Sequence, residues 1–159
     1  MTPVSSFQIL AAKVIPLSIL LMITVFVALI VAKLIFHVPF RGDMPLFLFC
    51  SFMSILVGIS IGIALAAFSQ NQRQSLLTSF FINLPVIQLS GAIAPMESMP
   101  EFFQYLSYLN PLRYYVTCVR GIILKGVGLE EIWPSVLALF IYAFILLSLS
   151  SAQFRKQLK

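Results

Sequence analysis

Residues 44–72 are MPLFLFCSFMSILVGISIGIALAAFSQNQ, a stretch with no charged side chain between Asp43 and Arg73. A helix needs about 20 apolar residues to cross the hydrocarbon core of a bilayer, and this stretch supplies them. It must be helical, because a helix pairs its own backbone amides and carbonyls within one segment in lipid. Residues 45–68 are therefore predicted to form a membrane span.

Three other long charge-free stretches predict further spans, at about residues 14–36, 74–95 and 132–154. The first is longer than the apolar part of a signal peptide and contains Pro16, so a span is favoured over a signal peptide there. The whole chain has 9% charged residues, far below the roughly 25% of a soluble domain. The sequence thus predicts an all-α, polytopic membrane helical bundle with four transmembrane helices.

Small residues recur along one side of the second predicted span. Ser54, Gly58, Gly62 and Ala66 follow one another at four-residue spacing, and the two glycines form a GxxxG pattern. Small side chains let two helix backbones approach closely in a membrane. This stripe is predicted to be a packing face, either against another helix of the chain or against a second subunit.

The third predicted span carries Asn83, Pro85 and Gln88 near its middle. Proline removes one backbone hydrogen bond and kinks a helix, and side-chain amides in hydrocarbon need polar partners. The amides are therefore predicted to face protein or water. They would either form interhelical hydrogen bonds or line a substrate path.

Residues 97–131 are richer in charge than the rest of the chain and are not predicted to span the membrane. A short amphipathic helical pair is predicted at about residues 99–125, between the third and fourth spans. Ser98 and Glu101 fit a capping box at the first helix, and Asn110 with Pro111 fits the start of the second.

The second helix of this pair is predicted to carry Arg113, Thr117 and Arg120 on its polar face and to end at Gly126 and Gly128. Tyrosine rings prefer the headgroup level of a bilayer. Four tyrosines are accordingly predicted to be interfacial anchors: Tyr105, Tyr108, Tyr114 and Tyr115.

Residues suited to catalysis are scarce. The chain has one histidine, His37, and no G-x-x-x-x-G-K-[ST] nucleotide loop, so no catalytic residue, metal site or cofactor is predicted. All five acidic residues lie near or outside the predicted membrane edges, which disfavours a membrane-embedded enzyme. The basic residues do not cluster on a soluble face, so nucleic acid is not an expected partner. Cys50 and Cys118 do not define a disulfide.

Three ordered motifs follow one another from the end of the third predicted span toward the fourth. They are SGAIAP at residues 90–95, MPEFFQYLSYLNP at residues 99–111 and RGIILKG at residues 120–126. Together they closely resemble the signature of ABC type 2 (ABC-2) exporter permeases. TP at residues 2–3 and VPFRG at residues 38–42 are similar to earlier positions of that family, so the resemblance covers nearly the whole chain.

The resemblance implies a permease that moves a drug, lipid or polysaccharide out across the inner membrane, in contact with membrane lipid. Its partners would be a separate ATP-binding subunit, which hydrolyses ATP, and a second permease copy or half. Both termini would be cytoplasmic, an orientation that counting basic residues does not settle. Residues 97–131 would close the outer end of the path. A polar loop near the ATPase would contain Gln70, Asn71, Gln72 and Arg73.

Permeases of that family have six spans, and the four predicted here correspond to the last four. The first two spans, the external domain and the coupling helix of the family have no counterpart in these residues. The alternative expectation is therefore a truncated or split-gene membrane fragment with a structural or assembly role and no transport of its own.

Overall fold

The computed structural model describes residues 6–69 and 71–157, and every regular element within those ranges is helical. The elements are α1 (Ser6–Leu34), α2 (Met44–Phe68), α3 (Gln72–Gln88), a 3-10 turn (Met96–Ser98), α4 (Glu101–Ser107), α5 (Pro111–Arg120), a π turn (Gly121–Lys125) and α6 (Leu129–Gln157). The predicted all-helical class is confirmed for the described residues.

Three helical stretches are long and apolar enough to cross a membrane: Ala11–Leu34, Met44–Phe68 and Leu129–Ala152. They correspond to the first, second and fourth predicted spans. Helix α3 has 17 residues, includes Arg73, Asn83 and Gln88, and is not one of the three. The predicted count of four is therefore not reached by length and hydropathy within the described residues.

Two of the long helices extend beyond the boundaries that the charge-free stretches predicted. Helix α1 begins at Ser6 rather than near residue 14, and α6 begins at Leu129 rather than Ile132. The first turn of α6 contains Glu130 and Glu131. Carboxylates there are favoured by the unpaired amides and the dipole at a helix N-terminus, so charge does not stop the helix.

Helix α3 ends at Gln88, before the predicted boundary at residue 95. The Ser90 hydroxyl donates to the Ile87 carbonyl over 2.7 Å and accepts from the Ala92 amide over 3.2 Å. Gly91 follows with a φ of +78°, a conformation that glycine adopts without strain. These contacts turn the chain out of the helix.

The start of α4 also differs from the prediction. Ser98 lies in the 3-10 turn and donates its hydroxyl to the Pro95 carbonyl over 2.6 Å, while the N-cap position of α4 is Pro100. The predicted capping box is wrong, because residues 96–98 form a turn of their own.

The start of α5 is as predicted. The Asn110 side-chain oxygen accepts from the Leu112 amide over 3.0 Å, and Pro111 occupies the first turn. The helix then widens into the π turn, which ends at Gly126 with a φ of +70°. A side chain at Gly126 would also meet Arg41, since a Cβ there would lie 3.0 Å from the Arg41 Cβ.

Helix α2 lies at the centre, with α1, α5 and α6 packed against it. The buried core is formed by Phe47, Cys50, Cys118, Ile122, Ile132 and Leu139. Helix α5 and the π turn therefore pack inside the bundle instead of lying along its outer edge. Of the predicted amphipathic pair, the second helix has its apolar face in the core.

Two contacts fix the direction of the helices. The Arg41 amide donates to the Ile123 carbonyl over 3.2 Å, so the α1–α2 connection meets the π turn just before α6 begins. Farther along, the Ser150 hydroxyl donates to the Ser60 carbonyl over 2.8 Å. Helices α2 and α6 thus run in the same direction, and α1 runs opposite to them. We call the end formed by residues 35–43 and 121–128 the distal end.

Candidate functional site

Helix α3 carries the three residues predicted to line a substrate path. Asn83, Pro85 and Gln88 are all exposed, and no residue of α3 is buried. Neither side-chain amide forms a hydrogen bond with another described residue. Within the described part of the chain, the amides therefore do not join α3 to a neighbouring helix. Their role as path groups stays a prediction.

The C-terminal end of α3 is held by two side chains from α5 and its cap. The Asn110 side-chain nitrogen donates to the Val86 carbonyl over 2.6 Å. Arg120 donates to the Gly91 carbonyl over 2.7 Å and to the Ala92 carbonyl over 3.3 Å. Val86 is in the last turn of α3, where carbonyls lack a partner within the helix, and Gly91 and Ala92 belong to the turn that follows, so these bonds stabilise the point where α3 stops.

Asn110 thus has two functions, and the sequence predicted one of them. Its oxygen caps α5, which the Asn-Pro pair signals, while its nitrogen reaches back 24 positions along the chain to α3. No local sequence pattern marks this second bond, because its acceptor is a backbone carbonyl of another element.

The small-residue stripe of α2 faces away from the other described helices. Gly58, Gly62 and Ala66 are exposed, and a Cβ added at either glycine would meet no atom of the described residues within 4 Å. Ser54 at the other end of the stripe is half-buried. The two glycines do not form a packing face within the described residues, and a contact with a second subunit remains the prediction for them.

The four predicted anchor tyrosines have different surroundings. Tyr105 and Tyr108 are exposed, with 73% and 53% of their surface accessible. Tyr114 donates its hydroxyl to the Tyr108 carbonyl over 2.8 Å and lies beside the ring of Tyr142. Tyr115 instead faces the core. Tyr105 and Tyr108 therefore have the exposure that an interfacial anchor needs.

Tyr115 belongs to a polar cluster between α2 and α5. Its hydroxyl and that of Ser51 are 3.1 Å apart, and the side chains of Cys50 and Cys118 lie beside them. Both cysteines are free and fully buried. Burial raises the pKa of the Tyr115 hydroxyl. The neighbouring Cys50 side chain and burial both raise the pKa of the Cys118 thiol above its ordinary value.

The predicted ATPase-facing loop lies largely at the start of α3. Asn71 is the N-cap and accepts from the Gln74 amide over 2.8 Å, whereas Gln72 and Arg73 belong to the first helical turn. All three are exposed, and Gln70 lies outside the described residues. A groove of about 480 Å³ runs along this part of α3, lined by residues that include Arg73, Leu77 and Phe81.

An apolar cavity of about 250 Å³ lies between α1 and α2. It is lined by residues that include Ser18, Met22 and Phe52. The Ser18 hydroxyl is buried and has no hydrogen-bond partner among the residues described. The sequence analysis did not select Ser18, because one serine in an apolar helix has no distinguishing pattern.

The described residues contain no group of three or more His, Cys, Asp or Glu side chains that could hold a metal ion. What the arrangement offers is a packed bundle around α2 and one exposed helix with polar groups. That arrangement suits binding and movement within a membrane.

Comparison with known proteins also indicates a membrane transport protein. The family described as ABC-2 type transporter matches residues 1–124. "Probable multidrug ABC transporter permease YbhR" of Escherichia coli K12 is 28% identical over 156 residues, which are 98% of this chain and 42% of that protein. "Inner membrane transport permease YhhJ" of the same strain is 28% identical over 155 residues, 97% of this chain and 41% of its own length.

A eukaryotic relative is also similar. "ABC transporter G family member 20" of Dictyostelium discoideum is 28% identical over 130 residues, 80% of this chain and 18% of that protein. The chain therefore spans less than half of the length of these curated relatives. No solved structure matches it. Since the family match covers most of the chain and three of its helices can cross a membrane, this is a membrane protein, and it belongs to the ABC-2 type transporter family.

Proposed function

We propose that the chain is the permease component of an ATP-driven exporter that moves its substrate out across the inner membrane. The substrate would be a drug, a lipid or a polysaccharide, and a separate subunit would hydrolyse ATP. The observation that carries this proposal is α3, a helix without a buried residue that presents two side-chain amides beside a packed membrane bundle. The name of the relative YbhR, a multidrug permease, is consistent with it.

Helix α3 is proposed to be the fourth crossing of the membrane. Its 17 residues rise about 26 Å at about 1.5 Å each, somewhat less than the hydrocarbon core of about 30 Å. It begins three residues after α2 has ended, and the turn after it is bonded to Arg120 near the distal end. A helix that connects these two ends of the bundle would cross the membrane, and the turn at residues 89–94 would complete the crossing. Four crossings would leave both termini on the same, cytoplasmic side.

In the proposed mechanism, α3 moves relative to α2 while substrate passes Asn83, Pro85 and Gln88. A helix with no buried residue has little packing to lose when it shifts. The amides would exchange hydrogen bonds between substrate and water as the path changes its accessible side. The apolar cavity beside Ser18 is a second surface that suits an apolar substrate.

The start of α3 is proposed to be near the ATP-binding subunit. Asn71, Gln72 and Arg73 are exposed there, next to the groove along α3, and Gln70 precedes them in the chain. A partner that pushes on this first turn would act directly on the helix that carries the path residues. A second permease copy or half would pack against the exposed glycines of α2, because Gly58 and Gly62 leave open space there.

The test is export of a fluorescent drug from cells that express this chain with its ATP-binding subunit. We expect the ATPase to copurify with the chain, and the double variant Asn83→Leu with Gln88→Leu to reduce export while copurification persists. Leu84→Ala, at an exposed position of the same helix, is the control and should leave export unchanged.

Unchanged export in the double variant would refute the path assignment but not the permease role. If no ATPase copurifies, the permease role itself fails. Copurification without export of any tested substrate would favour the alternative, in which the chain has an assembly role. Because this chain covers less than half of the length of each relative, the assembly role is the second candidate function.

A further inference from the structure

A cavity of about 570 Å³ lies beside α5, toward the distal end. Three basic side chains line it, Arg113, Arg120 and Lys125, together with the acidic side chains of Glu97 and Glu131. No ion pair joins any of these five groups to another described residue. A lining with charges of both signs is suited to a ligand that carries both signs.

The basic groups come from one wall of the cavity, made by α5 and the π turn. Arg113 lies 3.8 Å from the centre of the Tyr108 ring and donates to the Ser107 hydroxyl and to the Gln104 carbonyl. Arg120 is held by the carbonyls of the turn after α3. A guanidinium has five N–H donors, so both arginines keep donors for a ligand while their side chains are already positioned.

Lys125 is different, because its ammonium has no hydrogen-bond partner in the described part of the chain. The two carboxylates come from other elements, Glu97 from the 3-10 turn and Glu131 from the first turn of α6. Apolar side chains, including Val116 and Ile132, also line the cavity. The cavity thus has a basic wall, separate acidic groups and an apolar part.

The position of the cavity indicates the source of the ligand. The three candidate spans have one end each at the distal end, where α1 stops and where α2 and α6 begin. Trp133, near the start of α6, is 57% exposed, and aromatic rings of this kind lie at the headgroup level of a bilayer. Spans that cross a bilayer with these ends at one surface would place the cavity at the level of the lipid headgroups.

We propose that this cavity binds the phosphoethanolamine headgroup of a membrane phospholipid. The phosphate would accept hydrogen bonds from Arg120 and Lys125, and the ammonium group would be bound by Glu97 and Glu131. Charge-assisted bonds of this kind are short and strong, and arginine suits the geometry of a phosphate. The proposal does not depend on export, since the headgroup site would exist in a permease or in an assembly subunit.

The test is native mass spectrometry of the purified chain in detergent, with dihexanoyl phosphatidylethanolamine as the probe. Lys125→Gln, which breaks no hydrogen bond or ion pair among the described residues, should weaken binding about tenfold, and Arg120→Gln should do the same. Lys33→Gln is the matched control, because Lys33 is an exposed basic residue in the last turn of α1 that does not line the cavity. A melting curve for each variant separates lost binding from lost folding.

The acidic half is tested by headgroup choice. Wild-type chain should prefer the ethanolamine lipid to dihexanoyl phosphatidylglycerol, and Glu97→Gln with Glu131→Gln should remove that preference. Equal binding of both lipids by the wild type would overturn the assignment of the ammonium group. Lys125→Gln and Arg120→Gln chains that bind like the wild type would overturn the site. If glycerophosphoethanolamine competes as well as the lipid does, the lipid assignment would be overturned, and the ligand would be a soluble phosphate ester.

Discussion

Helices α2 and α3 are consecutive in the chain but differ in how they pack. Helix α2 has six buried residues, including Phe47, Cys50 and Ser60, whereas α3 has none. Helix α2 consists mainly of apolar residues, and eight of the 17 residues of α3 are apolar as well. In lipid an exposed apolar side chain carries no penalty, so burial here measures helix packing and not hydrophobicity.

The difference supports the proposal that α2 is a scaffold and α3 a movable part. Helix α2 contacts α1, α5 and α6 along its length, and a change on its buried face leaves a cavity in the bundle. Helix α3 is held at its C-terminal end by Asn110 and Arg120. We expect substitutions to affect stability strongly on α2 and at that attachment, and weakly elsewhere on α3.

The largest effect is expected from Phe47→Ala. Phe47 is 4% exposed and packs edge-on against Phe40, with ring centres 6.0 Å apart. Truncation should cost about 3 kcal/mol of stability, because the lost contacts leave a cavity. Phe81→Ala on α3 is the matched control, since Phe81 is 69% exposed and should change stability by less than about 0.5 kcal/mol. Thermal melting in detergent measures both, and equal losses would contradict the distinction between the helices.

Asn110→Ala should follow, with a loss of about 2 kcal/mol. The substitution removes the cap of α5 and leaves the Val86 carbonyl without its side-chain donor. Asn83→Ala, the same change at an exposed position of α3, should have almost no effect on stability. Hydrogen exchange should also speed up at the end of α3 in the Asn110 variant. Unaltered exchange there would mean that the bond to Val86 does not hold the helix.

A smaller effect is expected at the contact between α2 and α5. Ser51→Ala and Tyr115→Phe should each cost about 1 kcal/mol, because each removes one side of the hydrogen bond between the two hydroxyls. The double variant should cost less than the sum of the two, since both remove the same bond. Tyr105→Phe on the exposed surface is the control for the loss of a tyrosine hydroxyl. Strict additivity would show that the two hydroxyls do not interact.

The smallest effect on the single chain is expected from Gly58→Leu. A side chain there meets open space, so the melting temperature of the isolated chain should hardly change. Self-association should nevertheless weaken if the stripe is the face toward a second permease copy, because leucine prevents close approach of the backbones. Chemical crosslinking in membranes measures this. Crosslinked dimers at the wild-type level would argue against the stripe as a subunit contact.

Part of the fold was predictable from local sequence alone. Three features are marked in the local sequence itself: the charge-free stretch of α2, the start of α5 at Asn110 and Pro111, and the glycine that follows the π turn. Motifs at residues 90–95, 99–111 and 120–126 also indicated the family that comparison then established. The end of α3 is not predictable from charge, because the charge-free stretch continues past the turn at Ser90 and Gly91, where the helix has already ended.

The candidate sites were less predictable. The sequence selected Asn83 and Gln88 as unusual groups, but it could not show that neither bonds to a neighbouring helix in the described residues. It predicted that Tyr115 lies at the membrane interface, whereas the Tyr115 hydroxyl is hydrogen-bonded to Ser51 of α2. It predicted Arg113 and Arg120 on one polar face, and it could not show that they line a cavity together with Glu97 and Glu131 from other elements.

By itself, the sequence determined that the chain lies in a membrane as helices, since hydropathy, length and the need to pair backbone groups in lipid are properties of each segment alone. Only the tertiary structure decided which face of each helix is packed. In a soluble protein the polar side of a helix identifies its outer face, but here most faces are apolar and lipid accepts any of them. The burial of Cys50 and the exposure of Gly58 therefore follow from the neighbours of α2, which no stretch of its sequence contains.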